Sequence, residues 1–155
     1  MINLIGTYEC KADAKGRLML PVALKNQLAP VLEQGFVIKR SIFQPCLELY
    51  TMEEWNNIMA KINKLNRFVK KNNDFIRMFT AGVKTIDIDN AGRLLIPKDL
   101  VNFAGIDKDL VIAGLNVIEI WDKSRYESAI DDPNGELAKL AEEVMGGNND
   151  DGSLS

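Results

Sequence analysis

Asp13-Ala14-Lys15-Gly16-Arg17-Leu18-Met19-Leu20-Pro21 is the stretch whose reading decides the fold, because most of it returns as Asp89-Asn90-Ala91-Gly92-Arg93-Leu94-Leu95-Ile96-Pro97. Sliding the chain on itself by 76 positions aligns Gly6 with Gly82, Asp13 with Asp89, Gly16 with Gly92, Arg17 with Arg93, Leu18 with Leu94, Pro21 with Pro97, Leu24 with Leu100 and Asn26 with Asn102. That is 8 identities in the 23 residues 6–28, where chance gives about one or two. One unit has been used twice. Neither copy exceeds about 50 residues, a size at which an isolated domain is marginal, so the copies are expected to share one core or to lean on a partner chain.

Within each copy the residue types specify a tight reversal. Asp13 and Asp89 can accept hydrogen bonds from backbone amides two or more residues on, and Gly16 and Gly92 can take the positive φ that closes the turn. Arg17 and Arg93 leave it at equivalent positions. The plainest role for the Asp and Arg is structural, with each pair holding the two copies in register. Two arginines projecting from paired turns also make an anion grip, able to take phosphates or the O6/N7 edge of guanine. Lys15 adds charge in the first copy, where Ala91 adds none in the second.

Working outward, residues 6–12 alternate weakly and read as a strand entering the first turn, and residues 18–20 as a strand ended by Pro21. A helix of about two turns follows, limited by Pro30; its counterpart over residues 98–104 opens at Pro97 and closes at Gly105. Residues 36–39 and 46–50 read as a hairpin, matched by 110–113 and 117–121. Each copy is thus strand, turn, strand, short helix, strand, strand, giving a β-rich α+β fold. Thr51-Met52-Glu53-Glu54 has the capping-box pattern, and Trp55, Ile58, Met59, Ile62 and Leu65 continue it as a helix of four turns. A second helix is expected from about Asn73 or Asp74 to Gly82, and short helices over 122–130 and around Leu137 to Val144. The basic residues between 61 and 77 read as a solvated helix face, and the Trp55 stripe as core or interface. Residues 146–153 hold too little apolar content to order themselves.

Composition narrows the function. The 155 residues contain no histidine, which removes the commonest general base and zinc ligand. No GxSxG elbow, phosphate loop or HExxH helix is visible, so no enzyme, metal site or cofactor is expected. The first residues do not resemble a signal peptide and no apolar run approaches the length of a membrane span, so a cytoplasmic protein is expected. Cys10 and Cys46 lack CxxC spacing and read as small apolar residues rather than a disulfide. The net charge of -3 conceals a division: residues 1–80 hold 12 Lys and Arg against 7 Asp and Glu, and residues 81–155 hold 7 against 15. An acidic chain can still bind a polyanion through its first half.

The two Asp-x-x-x-Arg turns, each running into Arg-Leu-(Met/Leu)-(Leu/Ile)-Pro, with the helix entered through Thr51 to Trp55 and the closing Arg77-Met78-Phe79-Thr80-Ala81-Gly82, resemble the MraZ family over residues 1–126. The resemblance implies an internally duplicated, AbrB-like swapped-hairpin (double-split) β-barrel with flanking helices. It divides the chain into a first repeat at 6–52, a helical connection at 53–81, a second repeat at 82–125 and an acidic, partly disordered C-terminal extension at 126–155. It also implies a nucleoid-associated transcriptional regulator, a repressor by expectation, that forms a ring-like homo-oligomer and binds short direct repeats in double-stranded DNA upstream of the division and cell-wall gene cluster. No membrane and no small-molecule substrate is expected. By position the DNA contacts fall on Arg17, Arg93 and Lys15, with Asp13, Gly16, Asp89 and Gly92 supporting the turns; because Lys15 gives way to Ala91 and the surrounding charge changes sign, the first turn is expected to carry more of the affinity. The alternative is an antitoxin-like protein-binding module whose C-terminal tail wraps a partner.

Overall fold

The computed structural model describes residues 3–146. The first copy runs β1 (Thr7–Lys11), β2 (Arg17–Met19), α1 (Val22–Leu28) with a 3-10 continuation over Ala29–Gln34, β3 (Phe36–Arg40) and β4 (Leu47–Thr51). Two helices follow, α2 (Met52–Ile62) and α3 (Lys70–Thr80). The second copy repeats the order as β5 (Lys84–Ile86), β6 (Arg93–Leu95), α4 (Lys98–Ala104), β7 (Asp109–Ala113) and β8 (Ile118–Asp122), and α5 (Lys123–Ile130) and α6 (Glu136–Met145) complete it. The expected alternation of strands and short helix therefore holds in both copies.

The strands pair across the copies. A six-stranded antiparallel sheet has the order β1-β7-β8-β4-β3-β5, and β2 pairs with β6 in a separate two-stranded ribbon. The first strand of each copy thus lies on the hairpin of the other: Thr7 opposite Ala113 and Lys11 opposite Asp109, Phe36 opposite Ile86 and Ile38 opposite Lys84. The equivalent strands β4 and β8 join the two hairpins at the centre, with Glu48 directly opposite Glu119. Neither copy has a complete sheet without the other, which is why units of this size persist together.

The sheet is not closed into a barrel, which corrects the closure that the resemblance implies. Its edges are β1 and β5, and β5 has only three residues against five in β1. In the first copy Ala12 bridges to Leu18 and so links sheet to ribbon; among the described residues the second copy shows no equivalent bridge. Without it the ladder ends at β5.

One core serves both copies. Leu18 and Leu94, Leu20 and Ile96, Leu24 and Leu100, and Leu49 and Ile120 are all buried in it. On the opposite face of the sheet, α2 and α3 cover the first hairpin through Trp55, which meets Tyr50 edge-on at 5.4 Å and stacks on Phe79 at 6.3 Å. The buried Lys39 lies 4.3 Å over the Phe79 ring and 3.7 Å from the Glu48 carboxylate. Each hairpin uses one device here: Tyr50 donates to Glu48 at 2.7 Å and Trp121 donates to Glu119 at 2.9 Å.

Helix limits differ from expectation in two places. α2 stops at Ile62, about three turns long, because the Lys64 and Leu65 amides donate to the Lys61 and Ile62 carbonyls, three residues back, and tighten the chain out of the helix. α3 begins at Lys70 rather than near Asn73. Its entry is ordered by the Asn66 side chain accepting from Phe68 N–H, and by Asn72 and Asn73 donating back to the Asn66 and Arg67 carbonyls. The disordered segment expected over 146–153 falls, apart from Gly146, outside the described residues. Cys10 and Cys46 are both free, and burial pushes their thiols up to about 11 and about 12, so both stay protonated near neutrality. No helix among the described residues is long and apolar enough to cross a membrane.

Candidate nucleic-acid interface

The two turns are built alike, atom for atom. Asp13 Oδ1 accepts from the amides of Lys15 and Arg17, both at 2.9 Å, while Oδ2 accepts from Arg17 Nε at 2.7 Å. Asp89 Oδ1 accepts from Ala91 at 3.0 Å and Arg93 at 2.9 Å, and its Oδ2 accepts from Arg93 Nε at 2.8 Å. One carboxylate oxygen therefore holds the turn and the other holds the guanidinium by its inner nitrogen. The outer Nη fork of each arginine keeps the two-pronged geometry that suits a phosphate or a guanine edge.

This corrects the register role expected of the Asp and Arg pairs, because both ion pairs lie inside their own turns. Register between the copies is set by backbone instead. Ile96 N–H donates to the Gly16 carbonyl at 2.9 Å and Leu20 N–H to the Gly92 carbonyl at 2.8 Å. Between those bonds Arg17 pairs with Leu95, Leu18 with Leu94 and Met19 with Arg93. Gly16 has φ +85° and Gly92 has φ +89°, the conformation required of both by the turn.

Side chains alternate across a strand, and this turns the ribbon into a two-sided object. Leu18 and Leu94 point into the core; Arg17, Met19, Arg93 and Leu95 point outward. The arginines sit on a diagonal of the antiparallel ladder, about 7–8 Å apart at the backbone, with both guanidinium groups exposed. Met19 and Leu95 are each 53% exposed beside them. These four, with Lys11, Asp13, Asp87 and Asp89, line an open groove along the ribbon. Lys15 stands exposed at the tip of its turn.

Met19, Leu95, Lys11 and Asp87 were not singled out from sequence, although two-residue spacing from Arg17 and Arg93 places Met19 and Leu95 on the same face. Lys11 and Asp87 occupy equivalent positions in the two copies, 76 residues apart. Charge therefore reverses across the groove: Lys11 and Lys15 flank the first arginine, and Asp87 and the neutral Ala91 flank the second.

Both supporting carboxyls are held below the ordinary aspartate value of 3.8, chiefly by the Arg17 amide for Asp13 and by the Arg93 amide for Asp89. A carboxyl with a depressed folded pKa adds stability above its unfolded value and loses it as pH falls through the folded one. The turns are thus expected to stay ordered at neutral pH and to loosen below about pH 4. An acid titration of the Lys15, Arg17, Ala91 and Arg93 amide resonances should show it, and Asp13→Asn should flatten the response of the first turn only.

Comparison with known proteins agrees with the duplication. The family model described as MraZ protein, antitoxin-like, matches twice, over residues 4–78 and 78–145. A protein of Christiangramia forsetii named Transcriptional regulator MraZ is 66% identical over 153 residues, covering 98% of this chain and 99% of the relative. One of the same name from Flavobacterium psychrophilum is 66% identical over 152 residues, 97% of each chain. A third, from Cytophaga hutchinsonii, is 37% identical over 141 residues, 90% of this chain and 93% of its own. With two matches of the family model end to end and relatives alike over nearly their full length, the chain belongs to the MraZ family.

Proposed function

We propose that the protein is a transcriptional regulator that binds double-stranded DNA through the β2–β6 ribbon, assembles as a ring-like homo-oligomer and engages short direct repeats. The observation that carries the reading is the outward face of the ribbon, where two arginines are held by Nε and, among the described residues, keep the Nη fork unpaired. A two-stranded ribbon is narrow enough to enter the major groove, where such a fork matches guanine O6 and N7. Met19 and Leu95 supply apolar surface of the kind that meets a thymine methyl. The exchange of first strands between copies is read here as the swapped-hairpin arrangement, which brings the two turns to one face. The relatives' name supports the regulatory role, and a repressor located on the nucleoid is the form we favour.

Assembly gives several weak sites a common effect, since each further protomer engages a repeat at high local concentration. The direct test is binding of the full chain to a fragment carrying several short repeats from upstream of its own gene, against the same fragment with the repeats scrambled. Preference for the intact repeats is expected; equal binding would overturn the reading. Salt should weaken the complex steeply, with log Kobs falling by roughly 0.9 per log unit of salt for each phosphate contact. Lys15→Ala should reduce that slope by about one per engaged protomer and leave the order of sequence preference intact.

A further inference from the structure

Two surfaces outside the ribbon take no part in the DNA contact proposed above, and they are opposites. The first is α6, which is exposed at every one of its ten positions. Helices of this length are marginal in water without a surface to lie on. Leu137 is 69% and Leu140 53% exposed, and Ile130, at the end of α5, continues the apolar strip. Asp132 fixes the start of α6 by accepting from the Glu136 and Leu137 amides. Over residues 131–146 the chain carries five acidic side chains against Lys139 alone.

The second surface is the outer side of α2 and α3. Phe68, in their connection, is fully exposed, and Met78 is 77% exposed. Residues 61–77 hold six Lys and Arg against Asp74. Asp74 already takes Lys70 at 2.7 Å and Arg77 at 3.0 Å. Among the described residues Lys61, Lys64 and Lys71 have no acidic partner. Bulky apolar groups on a basic ground face an acidic, apolar helix elsewhere on the same chain, and an apolar side chain such as Phe68 finds no counterpart on a phosphate backbone.

We propose that α6 of one protomer docks on the α2–α3 surface of a second copy of this chain, Leu137 and Leu140 against the Phe68–Met78 side and the acidic residues against Lys61 and Lys64. The contact joins two different patches, so it propagates head to tail and closes into a ring when the rotation between neighbours allows. It rests on the self-assembly part of the function proposed above and names the surfaces that perform it.

The test is sedimentation velocity of the full chain, with circular dichroism to verify that each variant is folded. Leu137→Asp with Leu140→Asp should shift the concentration at which the assembly dissociates upward by at least about tenfold. Glu142→Lys with Glu143→Lys should do the same by charge, and adding Lys61→Glu with Lys64→Glu to that chain should restore assembly. A wild-type chain that sediments as a monomer would sink the self-assembly reading itself. A wild-type assembly that none of the substitutions disturbs, or one that the charge reversal breaks and the compensating pair fails to restore, would overturn the pairing of these surfaces. So would lysine variants that change only the salt dependence of DNA binding, which would make the α2–α3 face a DNA surface.

Discussion

Arg17→Ala is expected to weaken binding to a repeat-bearing DNA fragment by about 10- to 100-fold for each engaged protomer, the equivalent of one lost bidentate contact of ~1–3 kcal/mol. Arg93→Ala should weaken it less, and the double substitution should leave only sequence-independent binding. The ranking follows from the groove. Both arginines are presented in the same way, each anchored through Nε by its own aspartate. Their surroundings differ: Lys11 and Lys15 would draw phosphates toward the first turn, whereas Asp87 would repel them beside the second. Because every protomer carries the substitution, the loss multiplies across the protomers engaged on one fragment. Anisotropy titrations at one fixed salt concentration measure this. Arg17→Lys separates charge from geometry, since it should keep the salt slope while losing much of the preference for intact repeats. Unchanged affinity in both alanine variants would falsify the role of the ribbon, and a larger loss from Arg93→Ala would reverse the ranking while leaving the ribbon in place.

The turns were legible because everything that builds them is local: an aspartate, a glycine three residues on and an arginine one further, in each copy. So was the order of elements, since a capping Thr51, a stopping Pro21 and a closing Gly105 act within a few residues. Strand exchange is not of that kind. Nothing in residues 7–11 names residues 109–113 as their partners, because any exposed edge of suitable length satisfies the same backbone groups. Barrel closure failed as an expectation for a related reason, as it depends on whether Ile88 keeps the bridge that Ala12 makes. Met19 and Leu95 carry a local signal of their own, since two-residue spacing along a strand puts them on the face of Arg17 and Arg93.

Gly16→Ala is expected to destabilise the protein by about 3 kcal/mol and Gly92→Ala by about half as much, although the two glycines are equivalent by sequence and nearly identical in φ. Forcing an L side chain into positive φ costs ~1–2 kcal/mol at either site. The difference lies in what the new Cβ meets. At Gly16 it would stand 2.7 Å from the Ile96 carbonyl oxygen and 3.3 Å from Val101 Cγ2. That carbonyl is main chain next to the Ile96 amide that bonds back to Gly16, so relief means parting the two turns. At Gly92 the nearest atoms are Cδ and Cγ of Lys25, at 3.2 and 3.5 Å. A lysine stem can swing away toward solvent; a ribbon backbone with a β-branched valine behind it cannot. For a chain of this size the first substitution should lower Tm by roughly 6–12 °C and the second by roughly half that. Thermal unfolding of both variants under one set of conditions decides it. Equal shifts would mean that strain at φ alone sets the cost and that the contact between Gly16 and the second copy does not hold the ribbon together. A larger shift for Gly16 with DNA affinity lost in parallel would tie the spacing of the two arginines to that single backbone contact.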